Sequence, residues 1–162
     1  MAKQSAGILL YRFKDNQLQV FLIHPGGPFF SKKDSGSWSV PKGEFLDNEN
    51  PLDAAKREFS EETGQQVDGE FIILKSITQK AGKKVYAWAI EGDIDHQNIV
   101  SNLFEMEWPP RSGKKQTFPE VDKAGWFDAE QAKAKINSAQ IELIEELTSI
   151  INSSRLPPTQ KA

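Results

Sequence analysis

Three carboxylates, Glu58, Glu61 and Glu62, stand in the segment GEFLDNENPLDAAKREFSEETG from Gly43 to Gly64. Their i, i+3, i+4 spacing puts them on one face of a helix. The local sequence calls for that helix. Asn50 can cap the free N–H groups, and Pro51 fits the first helical position. Gly64 is a stop, because glycine takes the left-handed conformation at little cost. About 13 residues lie between, an ordinary helix length. Leu52, Ala55 and Phe59 recur at helical spacing and form a separate apolar stripe. Three carboxylates on one face repel one another by a few tenths of a kcal/mol per pair, and only Arg57, four residues before Glu61, offers nearby relief. A divalent cation removes the penalty. Mg²⁺ selects carboxylate oxygens and fills its remaining positions with water and substrate phosphates. For such a run taken alone, the competing reading is a plain solvated acidic face.

The wider spacing decides between them. Gly43, five residues, Glu49, seven residues, then Arg57-Glu58-Phe59-Ser60-Glu61-Glu62-Thr63-Gly64 resembles the Nudix box, the signature of the Nudix hydrolases. One position departs from it: Gln65 stands where an aliphatic residue usually follows the last glycine, and Val67 is placed to supply that packing. The resemblance implies an α/β fold, an α/β/α sandwich around a mixed β-sheet. It implies that Glu58, Glu61 and Glu62 bind Mg²⁺, with Mn²⁺ as an alternative, joined by the backbone carbonyl of Lys42. Arg57 would orient Glu58, and Glu49 would face the same site. Gly43 and Gly64 would be structural. Family members often carry a further acid a few residues before a Trp-Phe strand, where it completes the metal site or acts as base; Glu120 fits that place before Trp126-Phe127, with Asp122 second. Glu61, Glu62 and Glu120 are the candidates for activating water. The implied reaction is hydrolysis of a diphosphate linkage in a nucleoside diphosphate derivative. The lead-in Trp38-Ser39-Val40-Pro41-Lys42-Gly43 looks like the branch acting on nucleoside triphosphates and dinucleoside polyphosphates. Alternatives are pyrophosphate removal from RNA 5′ ends and a non-catalytic nucleotide-sensing module, although such modules often have eroded box carboxylates and this box is intact.

Composition is consistent with that chemistry. A chain of 162 residues suits one domain with a sizeable core, expected over residues 1–152, with a flexible tail at 153–162. Without cysteine there is no disulfide, thiolate nucleophile or Cys-based zinc site. No stretch approaches membrane-spanning length, and the short N-terminal apolar run does not read as a signal peptide, so a cytoplasmic location is expected. A net charge of −3 argues against duplex nucleic acid as partner and favours a small phosphorylated nucleotide. Oligomeric state has no signature here.

The supporting elements follow from pattern. Ser5–Phe13 and Gln17–His24 read as a β-hairpin about Lys14-Asp15-Asn16. Pro25–Ser37 is a Gly/Pro/Ser-rich loop, in which Phe29 and Phe30 could pack down or clasp a base. Its Lys32 and Lys33 are phosphate-facing or simply solvated. Glu70–Gln79 and Lys83–Glu91 suggest a second hairpin turning at Ala81-Gly82, with Val85, Ala87 and Ala89 on one face and Tyr86, Trp88 and Ile90 on the other. Gly92–Thr117 lacks clear periodicity and reads as a long functional loop. There Trp108, before two prolines, is either a base-stacking platform or a pin for the loop, with Arg111, Lys114 and Lys115 placed for phosphates, as the Lys42 side chain also is. Asp128 should cap a short helix and Ser138 open a longer one. Ile141, Ile144, Leu147 and Ile151 mark the core face of that last helix. Its Glu142, Glu145 and Glu146 lack the punctuation of the box and read as solvated.

Overall fold

In the computed structural model, residues 3–79 and 82–154 are described. The strands are β1 (Gln4–Lys14), β2 (Gln17–Pro25), β3 (Lys42–Glu44), β4 (Ile72–Ile73), β5 (Ile77–Thr78), β6 (Lys84–Glu91), β7 (Leu103–Glu107), β8 (Lys115–Pro119) and β9 (Val121–Asp128). The helices are α1 (Pro51–Thr63), α2 (Ala129–Lys135) and α3 (Ile141–Ser154), with a 3-10 turn at Ser138–Gln140. The principal sheet runs β4-β6-β1-β2-β9, with β3 on β1 and β5 on β6. It is mixed: β1 pairs in parallel with β6 and antiparallel with β2.

Alternation along the central strands sorts the core into two layers. Ala6, Ile8, Leu10, Phe21 and Ile23 meet Ala54, Ala55 and Phe59 of α1. Leu9, Val20, Leu22, Val85, Ala87 and Ala89 meet Ala132, Leu143, Ile144 and Leu147 of α2 and α3. This is the expected sandwich, and β6 divides its side chains as the sequence suggests.

The segment leading into the box is fixed from three sides. Ser39 and Ile23 exchange backbone hydrogen bonds of 2.8 and 2.9 Å. Ile8 N–H donates to the Pro41 carbonyl at 3.1 Å. The buried Gln140 accepts from Val40 N–H at 3.1 Å and donates to Ser39 Oγ at 3.0 Å. Gly7 permits the close approach: a Cβ there would lie 2.7 Å from Lys42 Cβ. These contacts fix where Lys42 presents its backbone.

Several expectations change. The strand expected over Glu70–Gln79 is two short pieces, β4 and β5, each paired with β6. Its turn falls partly on Ala81, outside the described residues. The supposed loop Gly92–Thr117 contains β7 and the first part of β8, which pair antiparallel. On α3, Leu143 joins the buried face, whereas Ile141 and Ile151 only flank it. Glu146 is not purely solvated, since its Oε1 accepts from Lys75 N–H at 2.8 Å. Asn137, rather than Ser138, caps the 3-10 turn. Ser153 and Ser154 end α3, and the rest of the expected tail lies outside the described residues. No described helix is long and apolar enough to cross a membrane.

Replacing Gln140 by leucine keeps the volume but leaves Val40 N–H buried without a partner. Stability should fall by about 1–3 kcal/mol, read as a lower urea midpoint with unchanged slope.

Candidate active site

Helix α1 forms as its caps dictate. Asn50 Oδ1 accepts from Asp53 N–H at 3.1 Å, and Gly64 ends the helix in the left-handed conformation at φ 75°. With Phe59 buried beneath, Glu58 and Glu62 point to the lead-in segment. Glu62 Oε1 accepts from Lys42 N–H at 3.0 Å. Glu58 lies against Gly43 so closely that a Cβ on Gly43 would stand 2.0 Å from its Oε1. Only glycine leaves that space.

Arg57 binds the remaining charges into a network. Its Nε and Nη2 donate to the two oxygens of Glu49 at 3.0 and 3.2 Å. Its Nη1 donates to Glu58 at 2.7 Å and approaches both oxygens of Glu61 at 3.4 Å. These partners, Glu49 first, raise the guanidinium pKa still further. Arg57 therefore remains charged at any working pH.

Glu120 enters from the β8–β9 junction. Its N–H donates to the Asn102 carbonyl at 2.8 Å, while Asn102 N–H donates to the Glu61 carbonyl at 2.8 Å. Asn102 thus bridges the backbone of α1 to that of Glu120. Burial raises the Glu62 carboxyl pKa to about 8, and the charges of Glu58 and Glu120 add to the shift against the opposing Lys42 N–H. Burial, then Glu61, also raises Glu58, with Glu120 contributing. Desolvated carboxylates facing one another produce this pattern. Asp122 is directed elsewhere, its Oδ1 lying 2.7 Å from His24 Nδ1.

The donor set is all oxygen and strongly anionic, which suits Mg²⁺ or Mn²⁺. Among the described residues, no three His, Cys, Asp or Glu side chains converge as they stand to grip an ion. Arg57 draws Glu49, Glu58 and Glu61 towards itself, so gathering them on a cation requires side-chain rotation. The chemistry of the donors fits; the observed rotamers are those of a network closed on arginine.

The family comparison follows this geometry. The NUDIX domain family model matches residues 1–147. The chain belongs to the Nudix family. A relative in Saccharomyces cerevisiae (strain YJM789), the mRNA-decapping enzyme subunit 2, is 29% identical over 149 residues, covering 90% of this chain. The chain spans only 12% of that protein's length. Among solved structures, a C. elegans Ap4A hydrolase binary complex aligns with TM-score 0.64 at 19% identity, covering 94% of this Nudix chain and 99% of its own. The NUDIX domain of Shewanella oneidensis NrtR, complexed with ADP ribose, aligns at TM-score 0.62 and 16% identity, covering 94% and 90%. At these identities the structural likeness concerns the fold.

The Nudix scaffold brings Lys42, Gly43, Glu49, Arg57, Glu58, Glu61, Glu62 and Glu120 into one neighbourhood. It does not bring Trp108, Arg111, Lys114 and Lys115 there. They occupy the far end of the β7–β8 hairpin, roughly 20 Å along the strand from Asn102. Trp108 packs edge-on to Phe29, with ring centroids 5.4 Å apart, while Phe29 remains 58% exposed. Lys115 is 3.8 Å from Glu105. Sequence reasoning missed Lys83. It shares with Lys42 and Gln79 a cavity of about 360 Å³ beside the lead-in segment. Burial and then Lys83 lower the Lys42 pKa, so the two ammonium groups sense one another. Alternation from β6 pointed to a strand but carried no sign that Lys83 would meet Lys42.

Millimolar Mg²⁺ or Mn²⁺ should raise the melting temperature of the unaltered protein at constant ionic strength. In the double variant Glu58→Gln/Glu62→Gln that rise should vanish, while its metal-free melting temperature should be no lower than wild type. Differential scanning calorimetry checks both.

Proposed function

We propose that this chain hydrolyses a diphosphate linkage in a nucleoside diphosphate derivative, with nucleoside triphosphates or dinucleoside polyphosphates preferred. The observation carrying this reading is the geometry of the intact box: Glu58 lies against Gly43, Glu62 accepts from Lys42 N–H, and Asn102 ties Glu120 to Glu61. A solvated acidic face does not tie its carboxylates to a neighbouring strand's backbone N–H and a shared guanidinium. Nudix hydrolases generally use divalent metal ions. The residues to hold one are Glu58, Glu61 and Glu62, with the Lys42 backbone carbonyl and Glu120. When bound, the ion would neutralise phosphate oxygens and acidify a water molecule.

The chain's own residues supply the rest. Arg57 holds Glu58 and Glu61 in register with Glu49, limiting the directions their oxygens can take. Glu120, Glu61 or Glu62 accepts the proton of the attacking water. Without a cation, the pKa of the partly buried Glu62 carboxyl is pushed up to about 8, so an ion bound there would displace its proton near neutral pH. Lys42 and Lys83 present point charges to phosphate oxygens from their shared cavity. For a dinucleoside polyphosphate, Trp108 and Phe29 supply an aromatic surface for the remote base, while Arg111, Lys114 and Lys115 attract the phosphates leading to it.

The likeness to Ap4A hydrolase supports the preferred substrate class, and the decapping relative supports RNA 5′-end pyrophosphate removal as second reading. The ADP-ribose-bound neighbour keeps a nucleotide-binding module in view. One panel separates them: ATP, diadenosine tetraphosphate, ADP-ribose and 5′-triphosphorylated RNA, with Mg²⁺ or Mn²⁺ and separated products. Turnover is expected on at least one of the first two. Glu62→Gln should reduce it by about two to three orders of magnitude without lowering the melting temperature. Tight nucleotide binding with no product would contradict hydrolysis, and near-normal turnover in Glu62→Gln would remove that residue from the ligand set.

A further inference from the structure

His24 on β2 is completely buried, yet it holds no place in the chemistry described above. Its ring makes two polar contacts of 2.7 Å, Nδ1 to Asp122 Oδ1 and Nε2 to the Lys33 carbonyl. A carbonyl only accepts, so Nε2 carries a hydrogen. The other nitrogen faces the Asp122 carboxyl group. The ring is also edge-on to Trp38, with centroids 5.2 Å apart. Strand β2, strand β9, the box lead-in and the loop following β2 therefore meet at one side chain.

That loop has mainly short-range bonds of its own. Phe30 N–H donates to the Gly27 carbonyl at 3.3 Å, and Lys33 N–H to the Phe30 carbonyl at 3.0 Å. Its root is tied by Gly26 N–H to the Glu120 carbonyl at 2.9 Å, and its end by Asp34 to Trp38 Nε1 at 2.8 Å. Between these ties, the Lys33 carbonyl is the point gripped from the protein interior. Phe29, four residues earlier, meets Trp108 of the hairpin, and Gly27 lies under Phe104, where a Cβ would come within 2.8 Å of the ring. The loop and hairpin are thus apposed through aromatic rings.

We infer that His24 is a positioning residue for nucleobase binding: by gripping the Lys33 carbonyl, it fixes the loop so that Phe29 and Trp108 form one aromatic wall for the base. This rests on the nucleotide-hydrolase reading. His24 does not touch substrate; it acts through the loop.

The test pairs a readout of the loop with one of substrate. In full-length His24→Gln, amides at 27–34 should exchange hydrogen faster, with those of α1 unchanged. KM for the preferred nucleotide should rise about five- to tenfold, with kcat within about twofold. Asp122→Leu should do the same. Asp122→Asn should behave as wild type, because its amide can donate to Nδ1 while Nε2–H still donates to Lys33. Adding His24→Gln to Phe29→Ala should raise KM no further than Phe29→Ala alone. Unchanged loop exchange, faster exchange throughout the sheet, or a fall in kcat at constant KM would each overturn the inference. The unaltered protein is assayed first. If it hydrolyses no nucleotide, the hydrolase reading fails, and hydrogen exchange still decides whether His24 holds the loop.

Discussion

Gathering carboxylates in one partly buried place is the constraint on which the site depends. Left alone, Glu49, Glu58, Glu61, Glu62 and Glu120 would repel one another, and their desolvation would compound the repulsion. The structure answers with two devices. Arg57 spreads one guanidinium over Glu49, Glu58 and Glu61, and Glu62 takes the Lys42 backbone N–H. A lysine in place of Arg57 could not serve three acids from a planar fork. The backbone bond is the more demanding device, since it requires Lys42 to be held still. Hence the dense stitching of the lead-in segment to β1, β2 and Gln140.

That stitching explains the topology around the site. Because β1 lies between β2 and β6, it is covered by α1 on one face and by α2 and α3 on the other. The short β3 can then join β1 only where Gly7 lets Lys42 approach. The box glycine, Gly43, completes the arrangement by ceding its side-chain volume to Glu58. Two glycines on adjacent strands thus serve one purpose, bringing backbone and carboxylate within reach of each other.

Local signals made much of this legible in the chain. The caps at Asn50 and Gly64, the stripe through Phe59 and the spacing of the acids are short-range features, and they formed as their chemistry directs. The hairpin of β1 and β2 and the alternation of β6 were equally local. What escaped is determined by distant partners. Glu70–Gln79 alternates well enough for one strand, but it pairs with β6 in two separate pieces. Residues 103–119 hold two five-residue strands whose charged, exposed positions hide their alternation around Phe104, Met106 and Phe118. His24 read as an ordinary strand residue because Asp122 lies 98 positions away. Glu120 was placed ahead of Asp122 by its match to the family's position before Trp126-Phe127; in the structure Asp122 meets the buried imidazole of His24 instead.

The separation of the two candidate regions bears on substrate size. The carboxylates gather at the base of the β7–β8 hairpin, where Asn102 links Glu61 to Glu120. Trp108 sits at its far end, roughly 20 Å away at the usual rise per strand residue. A mononucleotide lying at the carboxylates does not span that distance, whereas a substrate with a long phosphate chain and a second nucleoside approaches it. On the proposed reading, the hairpin therefore acts on the remote part of the substrate. Binding energy gained there assists catalysis only when it restrains the reacting phosphate at the box. An aromatic wall mounted on two mobile segments would transmit little of that restraint. One whose loop is bonded to the sheet interior, and whose hairpin is rooted in the backbone of Glu61 and Glu120, can transmit more, because the same elements carry the distant contact and the reacting groups.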